Sequence, residues 1–330
     1  LSVDKKRFNL NERTIWFPVA AAIVILPLIF GDGYYLNAMN FIAIYSIVAI
    51  GLCLLTGYGG QFALSHAGFF AIGAYASAIL SIKTGLHPLV SILLAQVIAA
   101  LTALGIGAVV LRLKGHYLSI ATLAFTVIVE VLLKNLVSLT GGLQGLSSIP
   151  RISIGTFALD SDWRYYFIVW PTVLFLLLFS LNLVDSRIGR VFRTLKEGEN
   201  IAQLFGVEIW SHKVRLFVLS SVYASIAGSL YAHYVSFVSP SVGAVMFAIE
   251  IVLAIAFGGY TMLWGAMLGV AAINFLNEYL TVFAEYKRPI YGFALIVIML
   301  FFPNGLLDGL MTGIRRFLGL IKIVKGHPHA

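Results

Sequence analysis

The amino-acid sequence predicts an all-α, polytopic transmembrane helix bundle of about ten spans with both termini cytoplasmic. Three observations carry that expectation. Charged residues make up 11% of the 330 positions and hydrophobic residues 60%, whereas a soluble chain carries about 25% charged residues. Several apolar stretches reach the roughly 17–25 residues that cross a hydrocarbon core about 30 Å thick as a helix, while barrel strands would show about ten residues of alternating pattern. The basic residues are distributed unevenly between the loops.

Breaks at polar, Gly or Pro residues divide the chain into runs 14–30, 35–56, 62–82, 88–113, 117–139, 163–184, 213–238, 243–260, 263–284 and 289–302. The start carries Lys5, Lys6, Arg7 and Arg13 before the first run, which has no small-residue cleavage pattern, so this run reads as an uncleaved anchor. With a cytoplasmic start, sixteen of the 22 Lys and Arg residues fall inside, and Lys83, Lys134, Arg151, Arg164, Lys287 and Arg288 fall in or near outside loops. The net charge of +8 then follows from topology, and a nucleic-acid partner is not expected. Residues 1–13 form a cytoplasmic segment, 14–304 the membrane domain with an inside loop at 185–212, and 305–330 a basic cytoplasmic tail.

Amphipathic aromatics near the proposed ends suit the membrane–water interface: Trp16, Tyr34, Trp163, Tyr165, Tyr166, Tyr260, Trp264 and Tyr286. Small residues four apart, Gly73/Ser77, Ala99/Ala103/Gly107, Ala224/Gly228/Ala232 and Gly265/Gly269, predict faces where backbones approach closely. Cys53, the single cysteine, excludes an internal disulfide and a cysteine metal cluster and reads as a packing residue.

The inside loop is patterned like helix. Ile188, Val191, Phe192 and Leu195 fall at helical spacing between Arg187, Arg190, Arg193 and Lys196. Gly198 interrupts, and a second short helix can run from Glu199 with Ile201, Leu204 and Phe205 on one face until Gly206. Such helices either lie flat on anionic lipid or dock into a partner.

Between the second and third runs, Thr56-Gly57-Tyr58-Gly59-Gly60-Gln61 predicts irregular backbone, tolerated only where it is buried in protein or lines a wet cavity. Gln61, Ser65 and His66 would face that cavity or form a satisfied polar cluster between helices. Glu250 lies at the centre of run 243–260, where a carboxylate needs a partner or a proton, as a pathway group or a structural one. Glu130 is four residues before Lys134 and predicts a local ion pair. Glu278, near Asn274 and Asn277, reads as a wet helix end, and His233 beside Tyr231 and Tyr234 as an interfacial histidine. No Gly-x-x-x-x-Gly-Lys-Ser/Thr loop occurs, so ATP hydrolysis by that route is excluded for this chain.

Several stretches together resemble the permeases of high-affinity branched-chain amino acid importers of the ABC superfamily, over about residues 35–305. They are Leu55-Thr56-Gly57-Tyr58-Gly59-Gly60-Gln61, Ser65 to Tyr75, Tyr117 to Phe125, Thr140-Gly141-Gly142 with Gly145-Leu146, Ser186 to Arg190, Ala227 to Tyr234, Ser239-Pro240 and Phe257-Gly258-Gly259. Glu199, Asn200, Ile201 and Ala202, followed by Leu204, Phe205 and Gly206, resemble the loop that couples such permeases to their ATPases. Asn200 and Ile201 stand where the family pattern has alanines, and the Glu-to-Gly spacing is one residue longer.

The resemblance implies a prokaryotic inner-membrane subunit, not an enzyme, that binds no cofactor itself. Its implied partners are a second homologous permease, two ATPase subunits that use ATP, an external substrate-binding protein and the lipid bilayer. Gln61, Ser65, His66 and Glu250 are the candidate translocation residues. A urea or short-chain amide permease is the nearest alternative, and an ion-coupled secondary transporter a more distant one, since only Glu250 is clearly central.

Overall fold

The computed structural model describes residues 33–154, 157–158, 160–198, 208–280 and 287–301. Outside them lie the first predicted run, both terminal segments, Trp16, Tyr286 and the residues Glu199 to Gly206. Among the described residues the longer helices are α1 Tyr34–Cys53, α2 His66–Thr84, α3 Pro88–Val110, α4 His116–Asn135, α5 Asp162–Asp185, α6 Arg187–Glu197, α7 Ile209–Val235, α8 Val245–Gly258, α9 Leu263–Leu280 and α10 Lys287–Phe301. Six of these, α1 to α5 and α7, are long and apolar enough to cross a membrane. α8, α9 and α10 cover the next three predicted runs with 14, 18 and 15 residues.

Side-chain composition decides where each helix sits. Beyond Asn40, α1 is apolar on every side but for Ser46, with Ile44, Ile47, Val48, Ala49 and Ile50 all fully enclosed, and it packs against α5, α7 and α9. A helix without a polar face belongs in the centre. Beyond Pro88 at its start, α3 buries the stripe Ser91, Ala95, Ala99, Ala103 and Gly107, one small residue every four positions, while Leu93, Leu101 and Val109 on its other sides are exposed. That is a helix whose narrow face meets protein and whose broad face meets lipid.

The predicted close approaches are present. A Cβ added to Gly228 of α7 would collide with the Phe70 carbonyl of α2, and one added to Gly73 of α2 would collide with the backbone of Ser225. α2 and α7 therefore run side by side at backbone contact, and Ser229 Oγ donates to the Gly73 carbonyl across the crossing at 3.0 Å. Gly258 and Gly265 form a second such contact between α8 and α9.

Polar contacts identify the two ends of the bundle. Tyr234, in the last turn of α7, donates its hydroxyl to Asp162 Oδ1 at the start of α5 (2.9 Å) and accepts from Asn37 and Asn40 in α1 at 2.9 and 3.2 Å. At this Asp162 end the backbone also forms two-residue strands, β1 Leu146–Ser147, β2 Ser153–Ile154, β3 Phe157–Ala158 and β4 Phe237–Val238, a small addition to the all-α expectation. β1 pairs antiparallel with β4, tying the loop after α4 to the end of α7. The opposite, Gly57 end holds the turn after α1, the start of α7 and α6.

Several local expectations are corrected. Tyr165 and Tyr166 are buried instead of interfacial, and the Tyr165 hydroxyl donates to the Leu230 carbonyl at 2.6 Å, which lets the phenol enter the core. His233 is likewise enclosed, with Nδ1 2.7 Å from the Pro150 carbonyl. The span predicted from residue 62 begins as helix only at His66, because residues 60–65 form irregular, non-helical backbone. Glu130 and Lys134 do pair, at 2.6 Å, and Glu278 is exposed.

Candidate functional site

The junction between α1 and α2 interrupts regular helix within the bundle. α1 widens into a π-helical turn at Leu54–Tyr58, and Gly59 N and Gln61 N donate back to the Leu54 and Leu55 carbonyls at 3.0 and 3.1 Å. Gly57 is required there: a Cβ would collide with the Tyr260 carbonyl between α8 and α9. The segment then runs without regular structure to Ser65 beside α4, whose hydroxyls replace the missing helical bonds. Ser119 donates to the Phe62 carbonyl (2.9 Å), Thr126 donates to the Leu64 carbonyl (2.8 Å) and Thr122 accepts from Leu64 N (3.0 Å).

At about 1.5 Å per residue, Thr122 and Thr126 lie about 9–15 Å along α4, so this non-helical backbone sits well inside the bundle. It is of the class tolerated at membrane depth because it is buried in protein.

Gln61, Ser65 and His66 are brought together here, at 3%, 0% and 2% exposure. His66 Nε2 lies 2.6 Å from Ser220 Oγ of α7, and that hydroxyl donates its single proton to the Gly51 carbonyl of α1 at 2.6 Å. His66 is therefore the donor, protonated on Nε2. Its Nδ1, the Ser65 hydroxyl and both polar atoms of the Gln61 amide have no hydrogen-bond partner among the described residues. Buried polar atoms without partners are costly in an apolar interior, so this cluster is a store of unused hydrogen-bonding capacity where three helices meet. Ser220 escaped the sequence reading because it is 154 positions from His66.

Glu250 occupies a different place. It is the sixth residue of α8, half-buried, on a narrow pocket also lined by Asn274 and Asn277 of α9 and by Tyr45 of α1. None of Gln61, Ser65 and His66 lines it. Tyr45 and Phe247 separate this pocket from a second cavity of about 180 Å³, whose walls include Phe70, Tyr231 and exposed Ser241. The rings form a continuous aromatic cluster, with centroids 5.3 Å apart for Tyr45–Phe247, 4.8 Å for Phe70–Phe247 and 5.5 Å for Phe70–Tyr231. Sequence reasoning missed this cluster, because each ring reads as ordinary apolar content of a span; the polar spacing of Asn274 and Asn277 was its only signal.

At the Gly57 end, α6 is held against the bundle. Ser186 caps it by accepting from Gly189 N at 3.2 Å, and Arg193 Nη2 donates to the Val184 carbonyl at 2.7 Å. Phe192 and Leu195 are buried and Val191 is half-buried, but Ile188 is exposed, so the predicted four-residue apolar face is only partly used. Gly60, at φ +65°, rests on the far end of α6: a Cβ there would stand 3.1 Å from Lys196 Cα. The segment that follows, from Glu199 to Gly206, lies outside the described residues.

Comparison with known proteins adds the family context. The family described as "Branched-chain amino acid transport system / permease component" matches residues 34–302. The chain is 30% identical over 287 residues to the high-affinity branched-chain amino acid transport system permease protein LivM of Escherichia coli, covering 80% of this chain and 68% of that protein. It is 25% identical to the probable branched-chain amino acid transport permease protein LivM of Methanocaldococcus jannaschii, covering 81% of each. Against the permease protein LivH of Escherichia coli it is also 25% identical, over 82% of this chain and 93% of that one.

Proposed function

This chain belongs to the permease-component family of branched-chain amino acid transport systems, and from that membership we propose that it moves branched-chain amino acids as one membrane subunit of an ABC importer. It is a transport permease and not an enzyme. The observation that carries the reading is the family match over residues 34–302, which includes every described helix of the bundle.

In this reading two homologous permeases pair in the inner membrane, two ATPases dock on the cytoplasmic side and a binding protein delivers the solute outside. The Asp162 end is the outer face and the Gly57 end the inner one, with ten spans and both termini cytoplasmic, as the Lys and Arg distribution supports. Residues 14–304 form the permease domain between short cytoplasmic ends. The chain binds no cofactor, and ATP is used by its partners.

The mechanism is alternating access. ATPase closure moves the loop 185–212 through Glu199, Asn200, Ile201, Ala202, Leu204, Phe205 and Gly206. The bundle then rocks so that a pathway including Gln61, Ser65, His66 and Glu250 faces one side at a time. The position of α6 supports this reading, because its end bears directly on Gly60 at the start of the non-helical junction.

The test is the double substitution Leu204→Ser with Phe205→Ser. Two apolar anchors contribute roughly 1.5–3 kcal/mol each when buried in a partner, so the ATPases are expected to dissociate during purification. Co-purification and substrate-stimulated hydrolysis at wild-type levels would show that this segment lies on lipid and not on the ATPase.

A further inference from the structure

Two cavities of different chemistry meet at the Tyr45–Phe247 ring pair. On one side is the aromatic vestibule of about 180 Å³ beside Phe70 and Tyr231. On the other is an acid pocket of about 20 Å³, where Glu250, Asn274 and Asn277 face aliphatic Ile251 and Val270. Glu250 lies within electrostatic reach of Tyr45 on this boundary and of Tyr291 of α10, and Tyr291 donates to the Asn277 side chain. The polar wall is thus held by three helices besides α1.

This arrangement grades from ring faces to a carboxylate. A cation is attracted to aromatic faces within about 6 Å, and more strongly to a carboxylate where water is scarce. Asparagine amides can donate to a carboxylate group, and the aliphatic wall accepts a branched side chain. A solute with an ammonium, a carboxylate and an apolar side chain uses all three; a neutral amide uses one.

We propose that Tyr45 and Phe247 form a gate between the vestibule and the acid pocket, and that Glu250 draws the ammonium end of a zwitterionic aliphatic amino acid through it. The solute rests on the importer reading, whereas the gate rests on the two cavities alone. The acid pocket is too small for an amino acid while the rings are together, so the solute waits in the vestibule until they part.

The test places a reporter cysteine behind the gate, Val270→Cys in a Cys53→Ala background, in cells carrying the whole transporter. Trimethylammonium-ethyl and sulfonatoethyl methanethiosulfonates are added outside and their modification rates compared. With each rate normalised to that reagent's rate with a free thiol in solution, the cationic reagent is expected to react at least tenfold faster, Glu250→Gln to bring the normalised ratio near one, and Phe247→Ala to raise both rates at least threefold. Phe247→Leu serves where the alanine variant does not assemble. Equal rates with Glu250 in place, rates indifferent to the Phe247 substitutions, or no modification in any variant would overturn the gate. Leucine uptake by the Cys53→Ala parent is scored separately: its absence alongside the expected reagent pattern would remove the importer reading and leave the gate standing.

Discussion

α3 and the junction between α1 and α2 are close in sequence and opposite in construction. α3 keeps its backbone bonds within one continuous helix and meets protein mainly along Ser91, Ala95, Ala99, Ala103 and Gly107. The junction gives up helical bonds at Gly59–Ser65 and recovers them from Ser119, Thr122 and Thr126 of a neighbouring helix. The difference teaches that, inside hydrocarbon, a helix can be indifferent to most of its surroundings, whereas a break depends on particular side chains elsewhere. Where the backbone is self-sufficient, substitutions are cheap; where it borrows, they are not.

Three substitutions sharpen that comparison, from large effect to small. The upper limit is set at the α2–α7 crossing, where Gly228→Leu drives a side chain into the Phe70 carbonyl. We expect a cost of about 3 kcal/mol or more, toward the upper end of overpacking effects. It is read as loss of the monodisperse peak in size-exclusion chromatography; a normal peak would show that the crossing is looser than described.

Next, Thr126→Val keeps the shape of the side chain but leaves the buried Leu64 carbonyl without its donor. The expected loss is about 1–3 kcal/mol, measured as a lower thermal midpoint in detergent. The smallest effect belongs to Leu93→Ala on the exposed face of α3, expected within about 0.5 kcal/mol because lipid tails replace the lost contacts. A Leu93→Ala shift as large as that of Thr126→Val would reveal a protein partner on this face and end the contrast.

What the sequence made legible follows the same division. The small residues of α3 and the close approach at Gly228 are written in local spacing and appear where expected, and the break expected at Thr56–Gln61 is present but runs on to Ser65. Partnerships across the fold are not local. Nothing near His66 points to Ser220, and nothing near Tyr45 points to Phe247, because which sides of two helices meet depends on the packing of every helix between them. Tyr165 and Tyr166 misled for a related reason: aromatic residues at a helix start resemble an interfacial belt until a distant acceptor, here the Leu230 carbonyl, admits a hydroxyl to the core. The separate positions of Glu250 and the Gln61–His66 cluster were equally invisible, since both read simply as polar residues within spans.

The α2–α7 crossing also limits how the bundle can deform. Where side chains interdigitate, two helices can shift by changing rotamers. At Gly73 and Gly228 there are no side chains to yield, and a carbonyl or peptide of the opposite helix already fills the space. Sliding one helix along the other brings backbone into backbone, while a turn about the point of contact leaves the separation unchanged. The crossing therefore acts as a fulcrum. A tilt of one helix at one end of the crossing is then accompanied by a displacement of opposite direction at its other end.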